Sequence, residues 1–233
     1  MRRQVKPEWL DVLPPNDTAA KRSRRDLRRV NTWMGNPRIL ARALQSAAGV
    51  WPLRTLVDLG AGDGHFLLRV TQRVRPPPTN ARALLLDRLS LVDSETEAAF
   101  RQIGWRAEPI QGDVFEWLRR AGNGSVDALV ANLFLHHFTD DQLRELFGLA
   151  AQRASVLVAV EPRRCSLALM FSRLLRAIGC NSVTRHDAVV SVGAGFAGRE
   201  LAALWPSAIP DRWDLAERSA GLFGHLFVAK LRR

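Results

Sequence analysis

Residues 55–68 read TLVDLGAGDGHFLL, and this stretch decides the fold. A short apolar run at 55–59 leads into a glycine-rich loop, and an apolar helix start follows at His65. Glycine allows a sharp turn and the close approach of a ligand to the backbone, and a helix N-terminus presents unpaired N–H groups. The stretch therefore predicts a strand–loop–helix turn suited to a bound ligand. A tight turn without any ligand is the alternative.

The alternation of short apolar runs and helices continues along the chain. Further strands are predicted at 83–86, 105–110, 126–131 and 155–160, and helices near 64–74, 94–103, 114–121 and 139–152. Two helices start with capping-box patterns, Ser94 with Glu97 and Thr139 with Gln142. Because strands joined by helices pair in parallel and are covered on both faces, the pattern predicts an α/β fold.

The two ends of the chain extend this pattern. Segments Trp213–Arg218 and His225–Ala229 flank a glycine-containing turn and predict a closing hairpin. Residues 161–210 are too many for a simple crossover and predict a helical insertion. One N-terminal helix starts at Asp17, and a second runs from Asn36 to Gly49. We therefore expect a helical cap over residues 1–49 and one domain over residues 50–233.

Length and composition exclude several classes of protein. The 233 residues are 47% hydrophobic and 24% charged, as in a globular domain. Two cysteines, Cys165 and Cys180, exclude a disulfide framework and a Cys-rich zinc site. No run approaches the ~18 apolar residues of a membrane span. The basic N-terminus is not followed by an apolar core, so it is not a secretory signal. We expect a cytoplasmic protein without a membrane span.

The net charge of +11 is concentrated near the N-terminus. Residues 1–42 carry 11 basic and 4 acidic side chains. The first long helix in this region has three possible interpretations. It presents an exposed basic face, it forms a lid over a ligand site, or it contacts RNA or anionic lipid. We favour the lid. Phosphate contacts from Arg28 and Arg29 alone do not make a nucleic-acid site, so a nucleic-acid partner is not expected.

The glycine loop does not match the dinucleotide-binding pattern G-x-G-x-x-G, because His65 stands where its third glycine belongs. It reads D-x-G-x-G-x-G from Asp58 and resembles the first motif of the class I S-adenosylmethionine-dependent methyltransferases. The resemblance implies a Rossmann-like, doubly wound, mostly parallel seven-stranded sheet with a C-terminal antiparallel hairpin. It also implies S-adenosylmethionine as cofactor.

The resemblance assigns cofactor contacts to the ends of the first strands. Asp58 and Gly60 are expected at the methionine end, and Asp87 at the ribose hydroxyls. Asp113 is expected to accept from the adenine amino group, beside the Val114 backbone. As alternatives, Asp87 is a surface residue that starts a loop, and Asp113 caps the following helix, a role compatible with adenine binding. The full predicted set is Asp58, Gly60, Ala61, Gly62, Gly64, Asp87, Arg88, Asp113, Val114, Asn132 and Leu133.

The segment after the fourth strand, 132–138, reads NLFLHHF and resembles the ubiquinone/menaquinone C-methyltransferases and related small-molecule enzymes. The chain lacks the (D/N)-P-P-(Y/F) signature of enzymes that methylate exocyclic base amines. It also lacks the Pro-Cys pair of pyrimidine C5-methyltransferases. A small-molecule acceptor is therefore expected. The alternative is an RNA methyltransferase that uses the basic N-terminal helix for phosphate contacts.

Methyl transfer to a phenol or enol also removes a proton, and histidine suits that role. His136, His137 and His186 are the candidate bases, with packing or helix capping as the alternative for each. The predicted acceptor contacts are Trp33, Met34, Arg163, Met170 and His186. We expect methyl transfer to oxygen or carbon of an aromatic, quinone-like or polyketide-type acceptor in secondary metabolism. We expect no metal ion, and a monomer or homodimer.

Overall fold

The computed structural model describes residues 1–49, 52–74, 77, 79–120, 125–206 and 212–232. Seven strands form one sheet. They are β1 (Thr55–Leu59), β2 (Ala81–Asp87), β3 (Trp105–Gln111), β4 (Val126–Asn132), β5 (Ala154–Pro162), β6 (Trp213–Ala220) and β7 (Gly224–Leu231). Their order across the sheet is β3-β2-β1-β4-β5-β7-β6.

The first five strands pair in parallel, and β7 lies antiparallel between β5 and β6. The predicted mostly parallel sheet with a C-terminal hairpin is therefore confirmed. Both hairpin strands extend two residues beyond the predicted ends, to Ala220 and Leu231. The last strand lies beside β5, so β6 and β3 are the two edge strands of the sheet.

Helices cover both faces of the sheet. The α-helices in the described part of the chain are α1 (Trp9–Val12), α2 (Thr18–Trp33), α3 (Asn36–Ala48), α4 (His65–Thr71), α5 (Ser94–Gln102), α6 (Val114–Arg119), α7 (Asp140–Arg153), α8 (Ser166–Arg173), α9 (Ser182–Ala194) and α10 (Glu200–Leu204). One buried cluster joins one sheet face to α6, α7 and α10, and a second joins the other face to α3, α4 and α5. Val57 belongs to the first cluster and its neighbour Leu56 to the second, because successive side chains of a strand point to opposite faces.

One predicted capping box is wrong and another is confirmed. The N-cap of α5 is Asp93, whose carboxylate accepts the Thr96 N–H at 2.8 Å, so Ser94 is the first helical residue and not the cap. The Glu97 N–H, which the Ser94 hydroxyl was expected to cap, donates to the Asp93 backbone carbonyl at 3.1 Å instead. The box of Thr139 with Gln142 at the start of α7 is present as predicted. Helix α6 ends at Arg119, and Ala121 of its predicted span lies outside the described residues.

The segment after β5 is a helical insertion, as predicted, formed by α8, a 3-10 turn at Leu174–Ile178, α9 and α10. Residues 207–210 of its predicted span lie outside the described part of the chain. At the N-terminus, α3 packs fully buried leucines, Leu40 and Leu44, against the sheet, whereas α2 packs against α9 of the insertion. Within the described ranges, none of the helices has both the length and the apolar character to cross a bilayer.

Candidate functional site

The sheet reverses its winding direction between β1 and β4, and ligands of such folds bind beyond the carboxyl ends of the strands at this point. A cleft of about 170 Å³ lies there. Its walls come from α2, the glycine loop with the start of α4, and the residues after β4. They are Arg24, Leu27, Arg28, Asn31, Thr32, Pro37, Asp58, Gly60, Ala61, Gly62, Asp63, His65, Phe66, Arg69, Asn132 and Leu133.

Two glycines of the loop are required for different reasons. Gly60 has φ +72°, and a Cβ there would lie 2.2 Å from a ring carbon of Phe134. Gly62 has φ +56°, and a Cβ there would meet no atom within 4 Å. The first glycine therefore lets the segment after β4 pack on the loop. The second leaves the backbone open towards the cleft, where a ligand can approach it.

Asp58 is the buried acid of the cleft. It is 2% exposed, and its Oδ2 atom has no hydrogen-bond partner. Burial, together with the negative charges of Asp87 and Asp63, raises the pKa of Asp58 well above its ordinary value. An unpartnered buried carboxylate is costly, and a cationic group in the cleft would compensate it.

Asp87, at the end of β2, connects this strand to the glycine loop. One carboxylate oxygen accepts the Gly62 N–H at 2.8 Å, and the other accepts the Leu89 N–H at 2.8 Å. Each carboxylate oxygen has a second lone pair, so ligand hydroxyls can still donate to Asp87. The carboxylate therefore shapes the loop and retains acceptor capacity.

The third acid, Asp113, caps α6, the role that the sequence left open beside adenine binding. Its Oδ1 accepts the Phe115 N–H at 2.8 Å, and its Oδ2 accepts from Arg88 at 2.7 Å. Partial burial raises the pKa of Asp113, but the hydrogen bonds from Arg88 and from the backbone outweigh it and hold the pKa below its ordinary value. Of the predicted cofactor residues, Gly64, Asp87, Arg88, Asp113 and Val114 lie outside the cleft lining.

Helix α2 lies over the cleft and contacts it through Leu27, Arg28 and Asn31. The Arg28 guanidinium lies 3.6 Å from a carboxylate oxygen of Asp63, and Arg69 donates to the Thr32 hydroxyl at 2.9 Å. These contacts join the helix to the glycine loop and to α4. The predicted contact residues Trp33 and Met34 do not line the cleft.

Helix α2 is also joined to the insertion. Asp26 is buried and accepts the Asn181 N–H at 2.9 Å, and Ser23 accepts a hydrogen bond from Thr184 at 3.0 Å. The helix is thus held between the glycine loop on one side and α9 on the other.

Three asparagines join α2, α3 and the end of β4. Asn36 donates to Asn31 at 2.8 Å and to Asn132 at 3.3 Å, and Asn132 donates to Asn31 at 3.2 Å. The next residue, Leu133, has φ +52°, a left-handed conformation that non-glycine residues seldom adopt and that concentrates at functional sites. Asn31 and Asn36 carried no sequence signal, because their partner lies about a hundred residues away.

His136 is buried with both ring nitrogens engaged. Its Nδ1 lies 2.8 Å from Glu161, and its Nε2 lies 3.2 Å from Glu8. Burial alone would lower the pKa of His136, but the hydrogen bonds and charges of Glu161 and Glu8 outweigh it and raise the pKa to about 9. Glu161 also accepts the N–H groups of Phe134 and Leu135. His136 therefore has no free ring nitrogen for an acceptor.

The other two predicted bases are partly exposed. His137 is 25% exposed, and its Nδ1 lies 3.3 Å from Asp11. His186 is 34% exposed and pairs its Nδ1 with Asp187 at 2.9 Å. Its ring stacks on Trp9 at 3.8 Å between centroids. The Asp187 carboxylate also accepts the N–H groups of Trp9 and Leu10 and so caps α1.

No protein-family model and no curated protein matches the sequence. Solved structures do. The plantazolicin methyltransferase BpumL in complex with SAH has TM-score 0.67 and 13% identity, over 93% of this chain and 92% of that one. An O-methyltransferase family protein from Burkholderia thailandensis has TM-score 0.60 and 19% identity, over 93% of this chain and 60% of that one. Human N-acetylserotonin methyltransferase in complex with SAM has TM-score 0.59 and 14% identity, over 98% and 63%.

The chain has the class I methyltransferase fold. It spans nearly all of the first of these structures and about three fifths of the other two. The likeness extends over the seven-stranded sheet with its C-terminal hairpin.

The remaining predicted acceptor contacts lie near the insertion that follows β5. Trp33 is 67% exposed and stacks on Phe223, which also contacts Phe171 at 4.8 Å between centroids. Met170 is exposed on α8. Arg163 is half-buried at the end of β5, where its N–H donates to the Phe223 carbonyl at 2.8 Å. The rings of Trp33, Phe171 and Phe223 form an outer apolar surface, which the Arg163 backbone contacts.

Sequence reasoning missed several residues of the cleft, among them His65, Phe66 and Arg69. The first two open the helix that follows the glycine loop, and Arg69 lies one helical turn further on. Helical periodicity from Gly64 was the signal that would have found them.

Proposed function

We propose that this protein is an S-adenosylmethionine-dependent methyltransferase that acts on a small-molecule acceptor. One observation carries the proposal: the buried carboxylate of Asp58, with an unpartnered oxygen, lies in the cleft wall beside the open backbone of Gly62. S-adenosylmethionine carries an ammonium and a sulfonium group, and either cation would offset the buried negative charge. The fold adds support, because its structural neighbours include methyltransferases in complex with SAH or SAM.

The residues present fit this cofactor. Asp58 would hold the ammonium, Asp87 the ribose hydroxyls, and the backbone at Gly62 would lie along the ligand. Asp113 would accept from the adenine amino group through Oδ2, which accepts from Arg88 and keeps a second lone pair. When bound, the cofactor would supply an electrophilic methyl group to the acceptor's oxygen or carbon, with S-adenosylhomocysteine as the leaving group.

The cleft is smaller than the roughly 300 Å³ or more that sites for drug-sized ligands occupy, and the proposed ribose and adenine contacts lie outside it. Outward movement of α2 would enlarge the cleft and would break the contacts of Arg28 with Asp63 and of Thr32 with Arg69. We propose that α2 is a lid whose return excludes water from the reacting groups.

For the acceptor we propose a phenolic, quinone-like or polyketide-type molecule of secondary metabolism, methylated at oxygen or carbon. The apolar surface of Trp33, Phe171 and Phe223 suits an aromatic ring. Arg163, whose backbone contacts Phe223, would suit an acidic substituent. We assign proton removal to His186, because Asp187 orients its Nδ1 and part of the ring stays exposed. The plantazolicin and N-acetylserotonin methyltransferases among the neighbours are named for small-molecule substrates, which agrees with this choice.

Calorimetric titration with S-adenosylmethionine tests the cofactor. The wild type is expected to bind, and Asp58→Asn to bind more weakly by about 1–3 kcal/mol, as for loss of a charged partner. The surface variant Asp141→Asn is the matched control and is expected to bind as the wild type does. Absence of binding by the wild type, or equal binding by Asp58→Asn, would refute the proposal.

Incubation of the protein and a cell extract with methyl-labelled S-adenosylmethionine tests the acceptor class. Label in the organic-soluble fraction supports the small-molecule proposal. Label in RNA would favour the alternative, in which α2 supplies phosphate contacts. The pairing of Arg28 with Asp63 argues against that alternative, because it removes one of these cations from the exposed face.

A further inference from the structure

Three potential metal ligands converge beneath α1, outside the cleft. The side chains of Glu8, His136 and His137 each offer one ligand atom, and these atoms all lie within 4.8 Å of one another. Glu8 and His136 are 128 residues apart in sequence, so no local sequence motif predicts the cluster. Two histidines with a carboxylate are a donor set typical of zinc and similar transition ions.

A buried carboxylate already orients the ring of His136, as is usual for histidines that bind a metal ion. Its Nδ1 lies 2.8 Å from Glu161, a fully buried carboxylate that the N–H groups of Phe134 and Leu135 hold in place. This contact fixes the ring and aims Nε2 at Glu8. A buried carboxylate behind a ligand histidine orients the ring and raises its basicity.

A second carboxylate lies beside the cluster and pairs with one of its histidines. Asp11 places a carboxylate oxygen 3.3 Å from Nδ1 of His137, on the partly exposed side of the cluster. Glu8 also accepts a hydrogen bond from the Ser191 hydroxyl, which fixes one of its oxygens. Nitrogen donors disfavour Mg²⁺ and Ca²⁺, which prefer shells of oxygen ligands.

We propose that Glu8, His136 and His137 bind one divalent transition ion of the zinc type, with the fourth position of a tetrahedral site left to solvent. The ion takes the place of the proton between Nε2 of His136 and Glu8, and it connects the N-terminal segment to the turn after β4. That turn continues from Asn132 and Leu133, which line the cleft. The site uses none of the cofactor residues, so it stands or falls independently of the proposed function.

Direct metal binding tests the site. Untagged full-length protein is freed of metal with a chelator, equilibrated with Zn²⁺, desalted and analysed for zinc. We expect one zinc per chain and a higher melting temperature than for the metal-free protein. Co²⁺ is the spectroscopic probe and is expected to give visible absorption bands in the wild type.

Two variants remove single ligands. Glu8→Gln and His137→Ala are expected to weaken zinc binding by at least roughly tenfold, the lower end of the loss seen even for outer-shell partners. His186→Ala is the matched control, since it removes a histidine that contacts the same N-terminal segment, and it is expected to bind zinc as the wild type does. Circular dichroism of the metal-free variants verifies that they fold.

If the wild type retains no zinc after equilibration at a tenfold molar excess, the proposed metal site is refuted. His136 is then a protonated histidine held by two carboxylates. Equal zinc binding in the wild type, Glu8→Gln and His137→Ala would refute it as well. S-adenosylmethionine binding is titrated on the same metal-free protein, and its failure would bear on the proposed function alone.

Discussion

The ring of Phe134 packs against the α-carbon of Gly60 so closely that a Cβ on this glycine would lie 2.2 Å from a ring carbon. The contact joins the loop after β1 to the segment after β4, the two walls of the cleft. Because Gly60 also has a positive φ, two independent physical reasons require glycine at this position.

Gly60→Ala is expected to lower the free energy of unfolding by about 1–3 kcal/mol, the usual cost of overpacking, in addition to the backbone strain. Gly62→Ala, where the space is open, carries the strain alone and is expected to be less destabilising. Gly148→Ala, in the middle of α7, is the control and is expected to be neutral or stabilising. Urea unfolding measures all three, and equal losses in Gly60→Ala and Gly62→Ala would contradict the packing argument.

Asp58→Asn is expected to stabilise the ligand-free protein at neutral pH. Because the pKa of Asp58 is raised in the folded state, its contribution to stability is present at low pH and is lost as pH rises through the folded-state pKa. Asparagine does not ionise, so the free energy of unfolding of the variant minus that of the wild type should increase from about pH 4 upward. The full increase is about 1.4 kcal/mol for each unit by which the pKa of Asp58 is raised. Urea unfolding at several pH values measures this difference, and a pH-independent difference would contradict it.

Asp87→Ala is expected to weaken S-adenosylmethionine binding by about 1–3 kcal/mol. The variant loses the ribose contact and also frees the N–H of Gly62. Asp87→Asn keeps one acceptor oxygen and is expected to lose less. Calorimetry measures both, and unchanged affinity in Asp87→Ala would refute the ribose assignment.

Arg28→Ala is expected to open the lid while changing the free energy of unfolding by less than about 1 kcal/mol, as for a partly exposed ion pair. Faster hydrogen exchange in α2 and faster cofactor association are the expected readouts. Arg25→Ala, an exposed arginine on the same helix, is the control. Identical exchange rates in the two variants would show that the contact with Asp63 does not hold the lid.

His186→Ala is expected to lower turnover by roughly 10²–10⁴-fold while cofactor affinity is kept, since a general base contributes in this range. His137→Ala is also expected to lower turnover and to spare cofactor binding, and in addition it loses zinc. Turnover is measured with the acceptor identified by methyl labelling. Unaltered turnover in His186→Ala would make this histidine a packing partner of Trp9.

Much of the fold follows from local pattern. The five parallel strands lie where the apolar runs predicted them, because each run must be buried and its length suits a strand. The cap of α5 was misassigned, since Asp93 and Ser94 are both good N-cap residues and only backbone geometry decides between them. The glycines of the loop could be found from the sequence, because backbone positions with a positive φ favour glycine.

The sequence by itself determined the order of elements, the glycine loop and the acids at the carboxyl ends of β1, β2 and β3, because each depends on residues within a few positions of one another. Only the tertiary structure decided that Asn31 meets Asn132, that α2 covers the cleft and that Glu8 reaches His136. These contacts join residues about a hundred or more positions apart. They depend on how the N-terminal helices and the insertion pack over the carboxyl ends of the strands. Packing between residues so far apart in sequence produces no periodic pattern in the chain.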